Sequence, residues 1–191
     1  MKIKKLFSTI ITALLCICCA GCTNQECDKE DKNPTDLYAV TQNEDNTHSY
    51  SFSDLNGNIL FECKNVVREP KINQLSSDVY ELITRTGTGL STNWAVYCDV
   101  ENSTTSEIFH YVLAAKENYV ICADYKDGEH FIIVQNIFDK SAYYKTYEIE
   151  NVSPVKADFV VNCKISNEGN ATATYVAGDD YTEKEMTINI P

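Results

Sequence analysis

The chain has 191 residues, 43% of them hydrophobic, with 28 acidic against 16 basic side chains and a formal net charge of −12. That length suits one domain with a real apolar core, and that composition excludes wholesale disorder. The acidity argues against nucleic acid as a partner and against adsorption to anionic lipid, because phosphate contacts need clustered Lys and Arg, and none are clustered in sequence beyond residue 5.

In chain order the first element is an address. Lys2, Lys4 and Lys5 precede an apolar run from Leu6 to Ala20 that ends at Gly21-Cys22. A basic start, about 15 apolar residues and a small-residue cleavage site describe a secretory signal peptide over residues 1–21, too short to be read first as a spanning helix. Its removal leaves 170 residues and takes away three lysines and no acids, so the net charge moves from −12 to −15. Cys19-Ala20-Gly21-Cys22 resembles the lipobox of bacterial lipoproteins, with Cys19 where that class usually has Leu. The resemblance implies that Cys22 carries a diacylglycerol with acyl chains such as palmitate. It also implies that the mature chain is anchored in the cell membrane on its extracytoplasmic face. In layout the whole chain is similar to small exported lipoproteins of anaerobic bacteria, a likeness that carries no functional residue beyond Cys22.

Residues 22–35 are polar and charged, with Cys27 the only strongly apolar side chain after Cys22 and Pro34 near the end. Such a segment cannot pack and is expected to be a flexible tether. The single domain then covers 36–191.

This body repeats itself. Asp36-Leu37-Tyr38-Ala39-Val40, Asp78-Val79-Tyr80-Glu81-Leu82, Asn118-Tyr119-Val120-Ile121 and Asp158-Phe159-Val160-Val161 place aromatics at 38, 80, 119 and 159. A period of about 40 residues is typical of propeller blades. Each unit continues as a three-stranded meander. The first has strands at 49–53 and 59–63 around Asn56-Gly57, and the second has 79–84, 93–100 and 107–112. The third has 119–125, 131–137 and 143–149 with a turn at Asp127-Gly128, and the fourth has 159–165, 172–176 and 185–190 with a turn at Glu168-Gly169. No stretch after the leader offers helical periodicity. The expectation is an all-β domain of antiparallel three-stranded meanders repeated four times, β-propeller-like, with a β-sandwich or barrel as the alternative that satisfies the same alternation.

Five cysteines remain after the leader and Cys22: Cys27, Cys63, Cys98, Cys122 and Cys163. Their odd number leaves at least one free thiol, and strand parity places Cys63, Cys98 and Cys163 among apolar neighbours as buried thiols. No Cys-x-x-Cys or His spacing points to a metal, and no cofactor motif occurs. His48, His110 and His130 have no nucleophile context, and His130, behind Gly128-Glu129, reads as a solvated turn residue. Asp99 with Glu101, and Asp179-Asp180, would suit a carboxylate pair of a glycosidase but also suit turns. Asp54-Leu55-Asn56-Gly57-Asn58 is similar to a calcium loop without its distal Glu, and its hairpin role accounts for it.

Twelve tyrosines favour a contact surface, and Tyr143, Tyr144 and Tyr147 crowd one strand, the first and last on one face and Tyr144 on the other. These three are the candidate binding residues. The functional expectation is a lipid-anchored binding module without enzymatic activity, its partner an unidentified protein or glycan. The alternative is an exported hydrolase acting on carbohydrate or peptide.

Overall fold

The computed structural model describes residues 36–87, 92–152, 159–166 and 168–191. The leader, Cys22, Cys27 and the tether lie outside the described residues.

The described chain is all β, in four antiparallel sheets laid down in chain order. The first holds β1 (Tyr38–Gln42), β2 (His48–Ser53) and β3 (Ile59–Val66). The second holds β4 (Lys71–Gln74), β5 (Val79–Arg85), β6 (Asn93–Asp99), β7 (Thr104–Thr105) and β8 (Phe109–His110), the last two both pairing with β6. The third holds β9 (Val112–Lys116), β10 (Tyr119–Lys126), β11 (Glu129–Asn136) and β12 (Tyr144–Ile149). The fourth holds β13 (Val160–Ile165), β14 (Asn170–Ala177) and β15 (Thr182–Asn189).

The turns obey their residues. Asp127 and Gly128 both have positive φ, +54° and +92°, and close a two-residue hairpin between Lys126 and Glu129. Gly57 (φ +86°) closes the β2–β3 hairpin, where the Asp54 amide donates to the Asn58 carbonyl at 2.8 Å.

Four meanders form as the repeat predicts, but the sheets have three to five strands instead of three each. β4 escapes sequence reading because Ile72 is its one apolar residue, as suits an edge strand. The strand expected at 107–112 is split. β8 stays with the second sheet, and Tyr111, at φ +55°, carries the chain across to the third. Its amide donates to Asn93 O in the second sheet at 3.1 Å, and its carbonyl accepts from Ala123 in the third at 2.9 Å.

Three apolar layers join successive sheets. Leu37, Tyr50 and Phe52 of the first unit meet Tyr80, Leu82, Val96 and Cys98 of the second. Ala95, Tyr97 and Phe109 meet Val112, Val120 and Cys122. Ile121, Ile132 and Val134 of the third sheet meet Phe159, Val160, Ala171 and Ile188. The inner sheets therefore bury both faces: Ala95, Val96, Tyr97 and Cys98 are consecutive and all 0% exposed. The end sheets bury one. In β2, Tyr50 and Phe52 are buried while Ser49, Ser51 and Ser53 alternate with them, and in β14 Ala171 and Ala173 flank exposed Thr172. Among the described residues no apolar layer joins the fourth sheet to the first, so the four sheets stack as a row with polar outer faces.

Each junction also has a hydrogen-bonded clasp. Between the first two sheets, Ser103 Oγ donates to Asp54 Oδ2 at 2.7 Å and Thr105 Oγ1 to the Leu60 carbonyl at 3.0 Å. Between the second and third, the Asn93 amide bonds the Val112 carbonyl and amide, both at 2.8 Å, in the manner of a neighbouring strand. Between the third and fourth, Gly178 N donates to Asn151 O at 2.6 Å beside a bridge of Val152 to Ala177. Charge concentrates at sheet edges: β2 and β14, the middle strands of the end sheets, have no Lys, Arg, Asp or Glu. Their neighbours carry Glu62 and Lys64 in β3, Lys164 in β13, and Glu183, Lys184 and Glu185 in β15, whereas β1 is uncharged.

The row arrangement predicts a contrast. Leu82→Ala, in the first layer, should cost about 2–5 kcal/mol in chemical denaturation. Ser51→Lys combined with Thr172→Glu, which places charges on the two outer faces, should shift stability by no more than about 0.5 kcal/mol each. Unfolding of the double variant would instead mean that those faces are packed together.

Asp54 also predicts an acid response. Its carboxylate is only 1% exposed and accepts from Asn58 Nδ2 at 2.8 Å and Ser103 Oγ at 2.7 Å, as well as from the Asn56 and Asn58 amides. These bonds, the Asn58 side chain first, lower its pKa to about 2. An unfolded Asp titrates near ~3.9, so the stabilisation is complete above that value and is lost as pH falls through the folded value. Thermal melts should show wild type more stable than Asp54→Asn at pH 5, with the gap closing between pH ~4 and ~2. A gap that is constant over that range would refute the assignment.

Candidate functional site

β12 is an edge strand of the third sheet, paired only with β11, and its alternation divides the three candidate tyrosines as expected. Tyr143 and Tyr147 pack against the layer between the third and fourth sheets. Tyr143 meets the Tyr119 ring edge-on at 5.7 Å, and Tyr147 lies under the Lys145 ammonium, 4.6 Å from its ring centroid. Tyr144 points the other way, 45% exposed, with Lys140 Nζ 4.2 Å above its ring. The strand thus spends two rings on packing and leaves one exposed, with a cation over it.

The acids expected near strand ends are held in turns. Asp99 accepts from the Glu101 and Asn102 amides at 3.1 and 2.9 Å and from Asn102 Nδ2 at 2.9 Å. Asp180 accepts from Thr182 Oγ1 at 2.6 Å, which lowers its pKa. Asp99 belongs to the second sheet and Asp179-Asp180 to the β14–β15 turn of the fourth, so the fold does not bring the two pairs together. The calcium-like loop is a hairpin closed by the Asp54 carboxylate. Among the described residues no group of three or more His, Cys, Asp or Glu is placed to hold a metal ion.

His130 differs from its expected role as a solvated turn residue. It is 8% exposed, its ring 4.8 Å from that of Tyr125 and 4.9 Å from that of Phe159. Its place in β11, on the face shared with Ile132 and Val134, turns it into the core, where it serves as an aromatic.

Three clefts open between these elements. One of about 480 Å³ lies where the β10–β11 hairpin meets the end of β12, lined by Tyr125, Glu129, His130, Glu148 and Glu150. Another of about 500 Å³ follows the crossing at Tyr111, with Glu107, Phe109, Asp124 and Gln135 on its walls. There Gln135 Nε2 donates to Glu107 Oε1 at 3.4 Å. The last, of about 380 Å³, is lined by Arg68, Glu69, Lys71, Asn73, Ile83 and Arg85. Sequence reading missed this basic cleft because its three cations are spread over 18 positions. The available signal was scarcity, since Arg68 and Arg85 are the only arginines in the chain.

The body cysteines are free thiols in strands, and of the three that parity places in the core Cys98 is buried while Cys63 and Cys163 are only partly so. Cys122 is buried as well. Burial raises the thiol pKa to about 12 for Cys98 and about 11 for Cys163, and raises that of Cys122 as well. Since the thiolate is the nucleophile, Cys98 and Cys122 should resist alkylation at pH 8 in the native protein. All four should react once the chain is denatured without reductant. A pair still protected in that denatured sample would reveal a disulfide.

No known protein family, curated protein or solved structure matches this chain, so its functional reading rests on its own residues.

Proposed function

We propose that this chain is a membrane-anchored, extracytoplasmic lipoprotein whose row of four sheets is a non-enzymatic binding module for a protein or glycan ligand. The basic-apolar leader ending at Cys22 supports the anchor. The binding reading is carried by the division of labour among polar side chains. Asp54, Asp99 and Asp180 are committed to turns, whereas Tyr144 with Lys140 stands exposed on an edge strand. A ring with an adjacent cation suits the apolar face of a sugar or a peptide side chain, and one ring at a contact contributes about 1–2 kcal/mol when it is a hot spot.

One observation favours the hydrolase alternative. Glu129, Glu148 and Glu150 line a single cleft with Tyr125 and His130, a carboxylate set of the kind that glycosidases use. That reading requires turnover that is abolished by Glu148→Gln.

Two measurements test the proposal. Fractionation of cells should find the wild-type protein with membranes and Cys22→Ser released from them; a variant still wholly in the membrane fraction would refute the anchor. Any ligand found by screening glycans and surface proteins should bind Tyr144→Ala roughly 5–30-fold more weakly. Hydrolysis of that ligand, lost in Glu148→Gln, would replace the binding reading with the enzymatic one.

A further inference from the structure

The third cleft stands apart chemically. In a protein of net charge −12, both arginines and Lys71 converge on one wall. The convergence is built by the second sheet. Lys71 of β4 pairs with Ile83 of β5 and Asn73 pairs with Glu81, so strand alternation puts Lys71, Asn73, Ile83 and Arg85 on the same face. That face packs on the third sheet, with Ile83 against the shared apolar layer, while Lys71 and Arg85 stay exposed at its margin. Arg68 arrives from the β3–β4 connection, and its Nη1 donates to Gly87 O at 3.4 Å, just beyond Arg85. Among the described residues this is the one side-chain hydrogen bond of Arg68, and it uses one of the five guanidinium donors.

The buried acid of this face is otherwise engaged. Glu81, the buried acid on the same face, accepts from Tyr97 Oη at 2.9 Å and from Asn73 Nδ2 at 2.5 Å, one bond to each carboxylate oxygen. Glu69 lies on the cleft wall, and among the described residues no carboxylate is within ion-pair distance of Arg68, Lys71 or Arg85. Three cations against the one carboxylate of Glu69 leave the cleft lining net positive, and an anion in the cleft relieves the repulsion among them.

We propose that the cleft walled by Arg68, Lys71 and Arg85 is a binding site for a small ligand bearing an oxyanion, a carboxylate or phosphate on a body of about one sugar. The inference rests on the binding reading above and adds to it a second site, whose lining does not include Tyr144 or Lys140. Two guanidinium forks match the paired oxygens of such a group, and Lys71 adds a point charge. Asn73 Nδ2 is already engaged by Glu81, so the cations carry the recognition, and Ile83 offers an apolar floor for the ligand body. The volume of about 380 Å³ fits a single ring and excludes a folded polymer from entering whole.

Calorimetric titration of the full chain in a non-ionic detergent at low salt tests this with three probes: glucuronate, glucose and inorganic phosphate. Glucuronate, phosphate or both should bind, and glucose should not. Preference for glucuronate identifies a sugar acid as the source of the oxyanion, and preference for phosphate a phosphoryl group. Arg68→Gln with Arg85→Gln should weaken binding by about tenfold or more at an unchanged melting temperature. Arg85→Lys, which keeps the charge and loses the fork, should fall between. Failure of both anions to bind, or equal binding by the double variant, overturns the inference. If both anions fail while a neutral glycan binds and loses affinity in Tyr144→Ala, the oxyanion site is refuted and the binding module stands.

Discussion

Everything in this structure depends on the two-sidedness of a short meander. A sheet of three to five strands has two faces, and it is stable only when at least one is covered. Here the solution is sequential: each sheet is covered by the next sheet in the chain, and three apolar layers serve four sheets. The two inner sheets accept the consequence in their sequence, with runs such as Ala95-Val96-Tyr97-Cys98 in which no residue is spared for water. The two end sheets terminate the row with Ser and Thr on the outward parity. Apolar area alone does not fix how one sheet sits on another, and the clasps at Asp54–Ser103, Asn93–Val112 and Gly178–Asn151 supply that direction.

The same economy frames the clefts. Where one sheet overhangs the next, the edge between them opens, and the side chains at that margin are released from packing. Tyr111 marks one such margin and the β4–β5 edge another. The buried Glu81 shows how the two demands are reconciled. Burial first, and then the Glu81 charge, push the Tyr97 hydroxyl well above its usual pKa, so it remains a donor and keeps the carboxylate satisfied within the layer.

Much of this was legible in the sequence. The aromatic period located all four sheets, because Tyr38 and Tyr119 open a strand, Tyr80 is the second residue of one and Phe159 immediately precedes one. Parity correctly assigned Cys98 to an apolar layer and separated Tyr144 from Tyr143 and Tyr147. The row order was encoded too, in the contrast between Ser49-Tyr50-Ser51-Phe52-Ser53 and the unbroken apolar run of β6, although the repeat alone suggests a ring. What sequence reading missed has a common cause. The β4 strand, the crossing at Tyr111, the burial of His130 and the convergence of Arg68 with Arg85 are all set by contacts between sheets, and local alternation does not report those.

The placement of charge on the outer strands bears on how copies of this protein behave beside one another. A row of separate sheets, unlike a closed barrel, leaves unpaired strand edges, each a template onto which a second chain could add. In the end sheets the uncharged strands β2 and β14 lie in the middle, and three of the four strands that a neighbour would meet bear Glu62 and Lys64, Lys164, or Glu183, Lys184 and Glu185, while β1 alone offers an uncharged edge. Docking another backbone on the charged strands would strip water from those groups. Molecules crowded beside one another would therefore resist joining through those three edges, and the short β1 is the edge left open to a second chain.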